Sequence, residues 1–190
     1  MPHKRCPWCE GDELYKSYHD TEWGVPVYDD KQMFNHLLLE SFQAGLSWIT
    51  ILRKRDNFGK AFAEFNPEKI AKFTDKDIHN LMQNEGIIRN SLKIKAAINN
   101  AQVFLDIQEK GSGFSDMLWQ LVDGKPIQNN WNDIKDIPSQ TTTSEHINKH
   151  LKKIGFKFIG PTICYAHMQA TGMVNDHLTT CYRHKELKLV

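Results

Sequence analysis

The sequence predicts an all-α protein that is made of many short helices. Apolar residues recur at the three- and four-residue spacing of a helix, and few segments alternate apolar and polar residues as strands do. Glycine, proline and capping residues interrupt the chain at short intervals, so most of the predicted helices are short. The sequence contains no internal repeat and no low-complexity segment.

The composition is typical of a globular protein of one domain. The chain has 190 residues, of which 40% are hydrophobic and 25% are charged, and its formal net charge is +1. No surplus apolar surface is visible, so we expect a monomer. No apolar run approaches the roughly 20 residues of a membrane span, and the N-terminus lacks the apolar segment of a signal peptide. We therefore expect a cytoplasmic protein with reduced thiols and no membrane partner.

The N-terminal half begins with an irregular segment and continues as five helices. Residues 1–30 are rich in Cys, Trp, Tyr, Asp and Gly, and only Leu14–Tyr18 indicates a helical turn. Asp29 or Asp30 is a candidate cap for the first helix, and Pro67 lies in a first helical turn, where proline is tolerated. The predicted helices span residues 31–43, 48–54, 57–65, 67–72 and 75–84.

The C-terminal half contains four predicted helices with glycine- and proline-containing connections. The longest helix spans residues 89–110 and ends at Gly111-Ser112-Gly113. Residues 126–143 are polar and loop-like, Ser144 is a candidate cap, and residues 155–160 form a turn. The predicted helices span residues 89–110, 114–122, 144–154 and 161–171.

One acidic residue lies inside the most apolar stretch of the chain. Residues 37–49 are apolar almost throughout, yet helical spacing places Glu40 on a largely buried helix. A buried glutamate needs a partner. The helix breaks at Ala44-Gly45, and Trp48 follows closely. Two interpretations stay open: Glu40 pairs with an internal arginine or backbone amide, or Glu40 and Trp48 grip a flat polar ligand.

Aromatic residues of the first half form a candidate pocket. Clustered aromatic residues more often belong to a core, yet Tyr15, Tyr18 and Trp23 lie in a polar segment with little core to join. Rings that stack beside one carboxylate are a suitable pocket for an extruded base. The aromatic residues of this set are Trp8, Tyr15, Tyr18, Trp23 and Trp48.

Four cysteines and nine histidines suggest a metal site. The candidate ligands are Cys6, Cys9, His19, His177 and Cys181. The four-residue spacing of His177 and Cys181 would put both on one helical face. A structural zinc ion takes four tetrahedral ligands, so one candidate would be left over. Such a site would tie the N-terminal segment to the C-terminal tail. The alternative, free thiols and ordinary surface histidines, stays open.

Several other catalytic motifs are excluded. The zinc deaminase pattern, His-x-Glu followed by Pro-Cys-x-x-Cys, does not match, because the Cys pair precedes His19 and because Glu22 has the wrong spacing from it. The sequence contains neither a phosphate-binding Gly-x-x-x-x-Gly-Lys loop nor a His-Glu-x-x-His motif.

The turn at residues 155–160 is a candidate phosphate site. Lys152, Lys153 and Lys157 surround it, and backbone amides at a glycine turn before a helix bind phosphate well. Contact with duplex DNA through such a hairpin would be independent of sequence. The overall charge does not by itself indicate nucleic acid. A plain helix–helix connection with Gly155 as C-cap stays open as the alternative.

Five motifs in a fixed order resemble one known family. They are Tyr-x-x-Tyr-His-Asp-x-Glu-Trp-Gly-Val-Pro at 15–26, Leu-Glu-x-x-Gln-Ala-Gly-Leu-Ser-Trp-Ile-Thr at 39–50, Gly-Ile-Ile-Arg at 86–89, Gly-Phe-Lys-Phe-Ile-Gly at 155–160 and Val-Asn-Asp-His at 174–177. Together they are similar to the DNA-3-methyladenine glycosylase I family of the constitutive bacterial type, and the resemblance covers nearly the whole chain.

The resemblance implies an all-helical DNA glycosylase of the helix-hairpin-helix type with a zinc-binding appendage. Residues 1–190 would form a single glycosylase unit, with residues 1–30 and 172–190 as the zinc-tied segment and residues 31–171 as the helical body. Members of the family flip 3-methyladenine out of alkylated double-stranded DNA and excise it hydrolytically. They act weakly on 3-methylguanine in the same way. They release the free base and leave an abasic site without cutting the strand.

The resemblance also implies which residues form the sites. The implied ligands of one structural Zn²⁺ are Cys6, His19, His177 and Cys181. Cys9 is then a surplus thiol, at a position where this chain departs from the family pattern. The implied base-binding residues are Glu40, which also acts in catalysis, Tyr18, Trp48, Tyr15 and Trp23. The implied DNA contacts are Gly45, Leu46, Gly155, Lys157 and Gly160.

Two other functions are compatible with parts of the pattern. A zinc-stabilised DNA- or nucleobase-binding protein would keep the fold without excision, although the intact set of Glu40, Tyr18 and Trp48 argues against it. A zinc hydrolase would need an open coordination position, which four protein ligands close.

The helix after Gly160 has no acid until Asp176, and no lysine lies where related bifunctional enzymes keep their nucleophile. We therefore expect no lyase activity.

Overall fold

A computed structural model describes residues 4–111 and 113–188 and is mainly helical. Residues 1–3, Ser112 and residues 189–190 lie outside the described residues. The expected zinc-tied segment, residues 1–30 and 172–190, is therefore described except for its first three and last two residues. The helices are α1 (Glu13–Thr21), α2 (Asp30–Gln43), α3 (Trp48–Ala61), α4 (Pro67–Ile70), α5 (Asp75–Gln83), α6 (Ser91–Glu109), α7 (Phe114–Gln120), α8 (Thr142–Lys153), α9 (Pro161–Ala170) and α10 (Tyr182–Leu187). None of these helices combines the length and the apolar character needed to cross a bilayer.

The mainly helical fold is confirmed, with one short strand pair in addition. Strand β1 (Ile127–Gln128) pairs in parallel with β2 (Val174–Asn175), and Ile127 lies opposite Val174. Two residues are too few to show an alternating pattern in the sequence. The pair fastens the polar loop before α8 to the C-terminal segment.

Two local predictions in the N-terminal half are wrong. The first thirty residues are not irregular throughout, because α1 forms behind Asp12, whose side chain accepts a hydrogen bond from the backbone N–H of Tyr15 (3.0 Å). The helices predicted at 48–54 and 57–65 are one continuous helix, α3, since no proline separates them. The chain then reverses through Ala63–Phe65, a turn of 3-10 type in which all three residues have positive φ.

Two predictions in the C-terminal half are also wrong. Thr141, not Ser144, is the N-cap of α8: the backbone N–H of Ser144 donates to Thr141 Oγ1 (3.2 Å), and that of Thr141 donates to Ser144 Oγ (2.9 Å). Ser144 therefore closes a capping box. His177 and Cys181 do not share a helical face, because α10 begins only at Tyr182. A loop brings them together.

Helix α2 is the centre of the core. It packs against α3, α6, α7 and α9. Met33, Phe34, Leu37 and Phe42 are each at most 1% exposed, and burying such a side chain contributes about 1.5–3 kcal/mol. Close packing on most of its surface holds this helix in place. Glu40, near its end, is therefore presented from a fixed backbone.

Gly172 allows the C-terminal segment to pack directly on the N-terminal one. Its φ is +68°, and a Cβ there would lie 2.4 Å from the backbone nitrogen of Pro26. Beside this contact, the backbone N–H of Gly24 donates to the carbonyl oxygen of Gln169 (3.0 Å). Only glycine fits such an approach. This packing carries Trp23 and its neighbours to the end of α9.

Candidate functional site

The five residues expected to bind a base all line one cavity. The cavity has a volume of about 340 Å³ and lies between α1, the end of α2, the start of α3 and α9. Helix α1 presents two tyrosines three positions apart, which places both on one face. The expected residues found in the lining are Tyr15, Tyr18, Trp23, Glu40 and Trp48.

Glu40 is a buried carboxyl group with an unpaired oxygen. Its side chain is 3% exposed, and its Oε2 atom has no hydrogen-bond partner in the described part of the chain. Burial raises the pKa of Glu40 to about 8. The internal arginine or backbone amide considered from the sequence is not found for this atom. A buried acceptor left unpaired in this way is available to a ligand.

Two aromatic rings stand beside Glu40. The ring centroids of Tyr18 and Trp48 lie 5.5 Å apart, and both side chains are buried. Burial, and then the proximity of Glu40, raises the pKa of Tyr18, so its hydroxyl stays protonated. The buried Nε1 of Trp48 has no partner among the described residues. Ring faces next to unpaired polar atoms suit a flat heteroaromatic ligand.

A second aromatic group forms the wall on the N-terminal side. The ring centroid of Trp8 lies 4.8 Å from that of Tyr15 and 5.0 Å from that of Trp23. Trp8 belongs to the aromatic set singled out in the sequence, and it lines the same cavity. Burial raises the pKa of Tyr15, which is therefore neutral at physiological pH. Glu40 is the only carboxyl group, and no basic side chain is present, among the residues that line this cavity.

Some lining residues were missed in the sequence. Gln43 follows Glu40 by about one helical turn, so its spacing could have indicated it. Ile134, Ile137 and Pro138 come from the loop between β1 and α8, and Gln169 comes from α9. No sequence pattern links these residues to the pocket, because tertiary packing alone brings them there.

Asp176, the first acid after α9, does not line the cavity. It is completely buried and accepts hydrogen bonds from Asn129 Nδ2 (2.7 Å), Trp131 Nε1 (2.8 Å), Gln169 Nε2 (2.8 Å) and the hydroxyl of Tyr165. A carboxyl group with four donors is satisfied. Asp176 therefore positions Gln169 in the pocket wall and anchors the loop after β1.

Four of the five metal candidates form a buried group. Their ligand atoms all lie within 4.8 Å of one another. The Sγ atom of Cys181 is 3.4 Å from His19 Nε2 and 3.5 Å from His177 Nδ1. A tetrahedral zinc ion with ordinary bond lengths separates sulfur and nitrogen ligands by roughly 3.6 Å. The group that could hold a metal ion is Cys6, His19, His177 and Cys181.

Hydrogen bonds on the outer nitrogens orient both histidine rings. Nδ1 of His19 lies 2.8 Å from Oδ1 of Asp20, which Arg5 contacts in turn at 2.9 Å. Nε2 of His177 lies 3.0 Å from the carbonyl oxygen of Trp23. Each of these acceptors takes an N–H, so the inner nitrogen of each ring carries the lone pair that could bind a metal. This donor set fits zinc.

Cys9 lies outside the group. Its buried Sγ donates to the carbonyl oxygen of Cys6 at 3.2 Å. Burial raises the pKa of Cys9 to about 11, so the thiol stays protonated. The structure therefore separates Cys9 from the four residues that could bind a metal.

The residues expected to contact DNA lie on two turns. Gly45, with φ +83°, and Leu46, which is 41% exposed, connect α2 to α3. Gly155, with φ +108°, Lys157 and Gly160 belong to the connection between α8 and α9. We call these connections the 44–46 turn and the 155–160 turn. Each leads into the N-terminus of a helix, where backbone N–H groups are free to bind anions.

Comparison with known proteins gives concordant results. The family model described as methyladenine glycosylase matches residues 8–184. The DNA-3-methyladenine glycosylase of Haemophilus influenzae is 48% identical to the chain over 177 residues, a match that covers 93% of this chain and 96% of that relative.

Solved structures share the fold over nearly the full length. A crystal structure of 3-methyladenine DNA glycosylase I (TAG) matches with a TM-score of 0.93 and 47% identity, and the match covers 94% of this chain and 98% of that one. A 3-methyladenine DNA glycosylase I (TAG) in complex with 3-methyladenine matches with a TM-score of 0.90 and 39% identity, over 94% of this chain and 96% of that one.

Proposed function

The chain belongs to the methyladenine glycosylase family, DNA glycosylases that hydrolyse N-glycosidic bonds, and from this membership we propose that it excises 3-methyladenine from alkylated double-stranded DNA. The base is flipped into the cavity before excision, and 3-methylguanine is a weaker substrate. The products are free 3-methyladenine and an abasic site in an uncut strand. The observation that carries the proposal is the buried, unpaired carboxyl group of Glu40 in an aromatic cavity.

Glu40 selects the positive charge that methylation at N3 gives to the adenine ring. Raising its pKa from 4.5 to about 8 means that ionising it in the empty cavity costs about 5 kcal/mol more than ionising an ordinary carboxyl group in water. A cation about 4 Å away gains about 4 kcal/mol at an effective dielectric constant of about 20. A hydrogen bond from the exocyclic amine to a charged acceptor contributes about 1.5–3 kcal/mol. The methylated base therefore offsets the cost of ionisation, and unmodified adenine does not.

The aromatic residues add to this selection. A cation over the ring of Tyr18 or Trp48 gains about 0.5–2 kcal/mol for each ring. Tyr15 and Trp23 line the same cavity and would contact the base there. Neutral adenine can stack on the same rings, but it gains no cation–π attraction there.

The reaction requires little acid–base chemistry from the protein. When the bond between the sugar and the methylated base breaks, the cationic base leaves as a neutral molecule, so it needs no proton. Water adds to the sugar carbon, and its proton passes to the solvent. Positive charge moves from the base to the sugar as the bond breaks, and ionised Glu40 stabilises that charge in a pocket from which water is excluded.

Two turns are proposed to hold the DNA. Leu46, exposed next to Gly45, fills the space that the flipped base leaves in the duplex. The 155–160 turn, with Gly155, Lys157 and Gly160, follows the strand backbone in the manner of a helix-hairpin-helix motif. The exposed apolar side chain of Leu46 supports the first assignment, and the free helix N-terminus after Gly160 supports the second.

The buried Cys and His group is proposed to hold one structural Zn²⁺. Four protein ligands close the coordination shell, so the ion supplies stability and no reactive water. Its ligands come from both ends of the chain, and the ring of Trp23 lies 4.6 Å from that of His177. The site would thereby support the pocket wall.

The broader expectations stay predictions. Residues 1–190 would act as one glycosylase unit, with residues 1–30 and 172–190 in the zinc-tied segment and residues 31–171 as the helical body. A monomeric state and a cytoplasmic location are likewise predicted.

The test measures bases released from methylated duplex DNA by metal-replete protein. The wild type should release 3-methyladenine, and Glu40→Gln should reduce the rate by about 100- to 1,000-fold, because it loses the charge term of about 4 kcal/mol. Glu109→Gln, at an exposed position, is the control with unchanged rate. Strand breaks should appear only after alkali treatment.

The two possible failures have different meanings. If the folded wild type releases no base, the excision proposal is wrong, and the chain would be a base-binding protein. If Glu40→Gln releases the base at the wild-type rate, excision stands, but the role assigned to Glu40 does not.

A further inference from the structure

A single buried lysine contacts both turns that are proposed to bind DNA. Lys93, near the start of α6, is only 4% exposed. Its Nζ donates to the carbonyl oxygens of Phe42 (2.8 Å) and Ala44 (2.9 Å), at the end of α2 and the start of the 44–46 turn. The same atom lies 5.6 Å from the ring centroid of Phe158, in the 155–160 turn. The ammonium group therefore lies between the two turns.

The contacts of Lys93 are unusual for a buried cation. No carboxylate forms a salt bridge with it among the described residues. A buried ammonium group needs compensation. The last carbonyls of α2 supply it, because they have no partner within the helix and carry the negative end of its dipole. This arrangement satisfies those carbonyls and fixes the path of the chain as it leaves the helix.

Further along α6, two asparagines hold the other turn. Asn100 is 4% exposed and binds the backbone of one residue twice: its Oδ1 accepts from the backbone N–H of Lys157 (2.8 Å), and its Nδ2 donates to the carbonyl oxygen of Lys157 (3.0 Å). Nδ2 of Asn99 donates to the carbonyl oxygen of Gly155 (2.9 Å). The N–H of Lys157 is thus used within the protein.

Lys93 and Asn100 lie on one face of α6. Residues seven positions apart in a helix point in nearly the same direction and lie about 10 Å apart along the axis. Ala96 and Ala97, between them, are buried and small. This face has polar groups at both ends: Lys93 forms hydrogen bonds with the end of α2 and the 44–46 turn, and Asn100 forms hydrogen bonds with the 155–160 turn.

We propose that the face of α6 from Lys93 to Asn100 fixes the distance between the 44–46 turn and the 155–160 turn, with these two side chains as positioning residues. The inference rests on the proposed function, since the two turns are assigned there to DNA. Both turns must engage one duplex at the same time. A displacement of about 1 Å in such a geometry lowers the rate by about 100-fold.

A direct contact between Lys93 and a DNA phosphate is the alternative, and salt dependence distinguishes the two. Each phosphate contact contributes about 0.9 to the slope of log affinity against log salt concentration. A positioning residue changes the affinity and leaves the slope unchanged. The low exposure of Lys93 favours positioning.

The test uses the full chain with its metal and compares Lys93→Met and Asn100→Ala with Lys110→Met. Lys110 is exposed just after α6 and serves as the matched lysine control. Three quantities are measured: affinity for free 3-methyladenine, affinity for a duplex with a stable abasic-site analogue across a salt series, and the single-turnover excision rate. Free-base binding also reports whether each variant is folded.

Both α6 variants should bind the duplex and excise the base about 10- to 100-fold less well. Their affinity for free 3-methyladenine should stay within about twofold of the wild type, and the salt slope should not change. Lys110→Met should match the wild type in all three measurements. This pattern would separate positioning of the turns from damage to the pocket.

Three results would overturn the proposal. Unchanged duplex binding and excision in both variants would show that the face does not position the turns. An equal loss of free-base affinity would place the effect in the pocket, and a slope change of about 0.9 would assign Lys93 to a phosphate. Asn100→Ala keeps the test decisive if Lys93→Met does not fold. A failure of the proposed function would differ, because the wild type itself would release no base.

Discussion

Replacing Glu40 with glutamine should change how the stability of the protein depends on pH. The pKa of Glu40 is about 8 in the folded protein, against 4.5 for the ordinary carboxyl group. The folded state therefore holds a proton that the unfolded state releases between these two values. As a result, the contribution of Glu40 to stability is fully present below pH 4.5 and is lost as pH rises through 8. Glutamine has nearly the same shape and no proton to release.

The size of the effect follows from the two pKa values. Where the folded state keeps the proton and the unfolded state has lost it, the free energy of unfolding falls by about 1.4 kcal/mol for each pH unit. Between about pH 5.5 and 7.5 the wild type should lose about 2.5 kcal/mol relative to Glu40→Gln. The whole stability of a domain is only about 5–15 kcal/mol, so this difference is measurable.

The assay is urea unfolding of three proteins at a constant metal concentration, followed by tryptophan fluorescence. The proteins are the wild type, Glu40→Gln and Glu109→Gln. The metal ligands titrate alike in all three, so their contribution cancels in the differences. Glu109 is exposed at the end of α6, and its variant should follow the wild type at each pH.

Parallel curves for the wild type and Glu40→Gln would refute this reasoning. They would mean that Glu40 ionises near its ordinary pKa in the folded protein, which requires a partner for its carboxylate. The cost of ionisation in the empty pocket would then vanish. A cationic base would then no longer be needed to offset that cost.

Three other perturbations test the metal, the 44–46 turn and the packing of the termini. Chelation or Cys181→Ser should lower Tm, and mass spectrometry should show the loss of one zinc ion per chain. Cys9→Ser should keep the ion. A metal-free wild type with unchanged Tm would contradict this. Leu46→Ala should slow excision from duplex DNA while calorimetry shows unchanged binding of free 3-methyladenine, and an equal loss of both would place Leu46 in the pocket. Gly172→Ala should lower the free energy of unfolding by about 2 kcal/mol or more, since its Cβ would lie 2.4 Å from a backbone nitrogen. Gly124→Ala, which also has positive φ but has open space, should cost only about 1 kcal/mol, and equal costs would show that the clash is relieved.

Sequence patterns predicted the features that depend on one helix. The apolar spacing of residues 31–43 and their aspartate cap predicted α2, and the same spacing placed Glu40 on a buried surface. Tyr15 and Tyr18 were assigned to one pocket, although α1 itself was not expected as a full helix. The residues of α1 are polar on average, so the formation of this helix depends on the Asp12 cap and on the packing of the Tyr15 and Tyr18 rings.

Features that depend on distant parts of the chain were not predictable in the same way. A lysine in a long amphipathic helix is ordinarily exposed. Lys93 is buried because it binds a carbonyl oxygen 51 positions earlier in the chain, and no local pattern contains that partner. The segment 134–138 reaches the pocket through a loop for similar reasons. The spacing of His177 and Cys181 suggested two metal ligands. Both belong to the group that could hold a metal ion, but a loop, rather than a helix, brings them together.

The unpaired carboxyl group of Glu40 also bears on how the product leaves. The methylated nucleotide is cationic, and it favours the ionised form of Glu40. Once the glycosidic bond breaks, the free base is neutral, so the attraction of about 4 kcal/mol disappears. Only the hydrogen bond to the base then offsets the cost of keeping Glu40 ionised, and below the pKa of about 8 the carboxyl group would take up a proton again. The same buried group that is proposed to select the charged substrate would therefore weaken binding of the neutral product and favour its release.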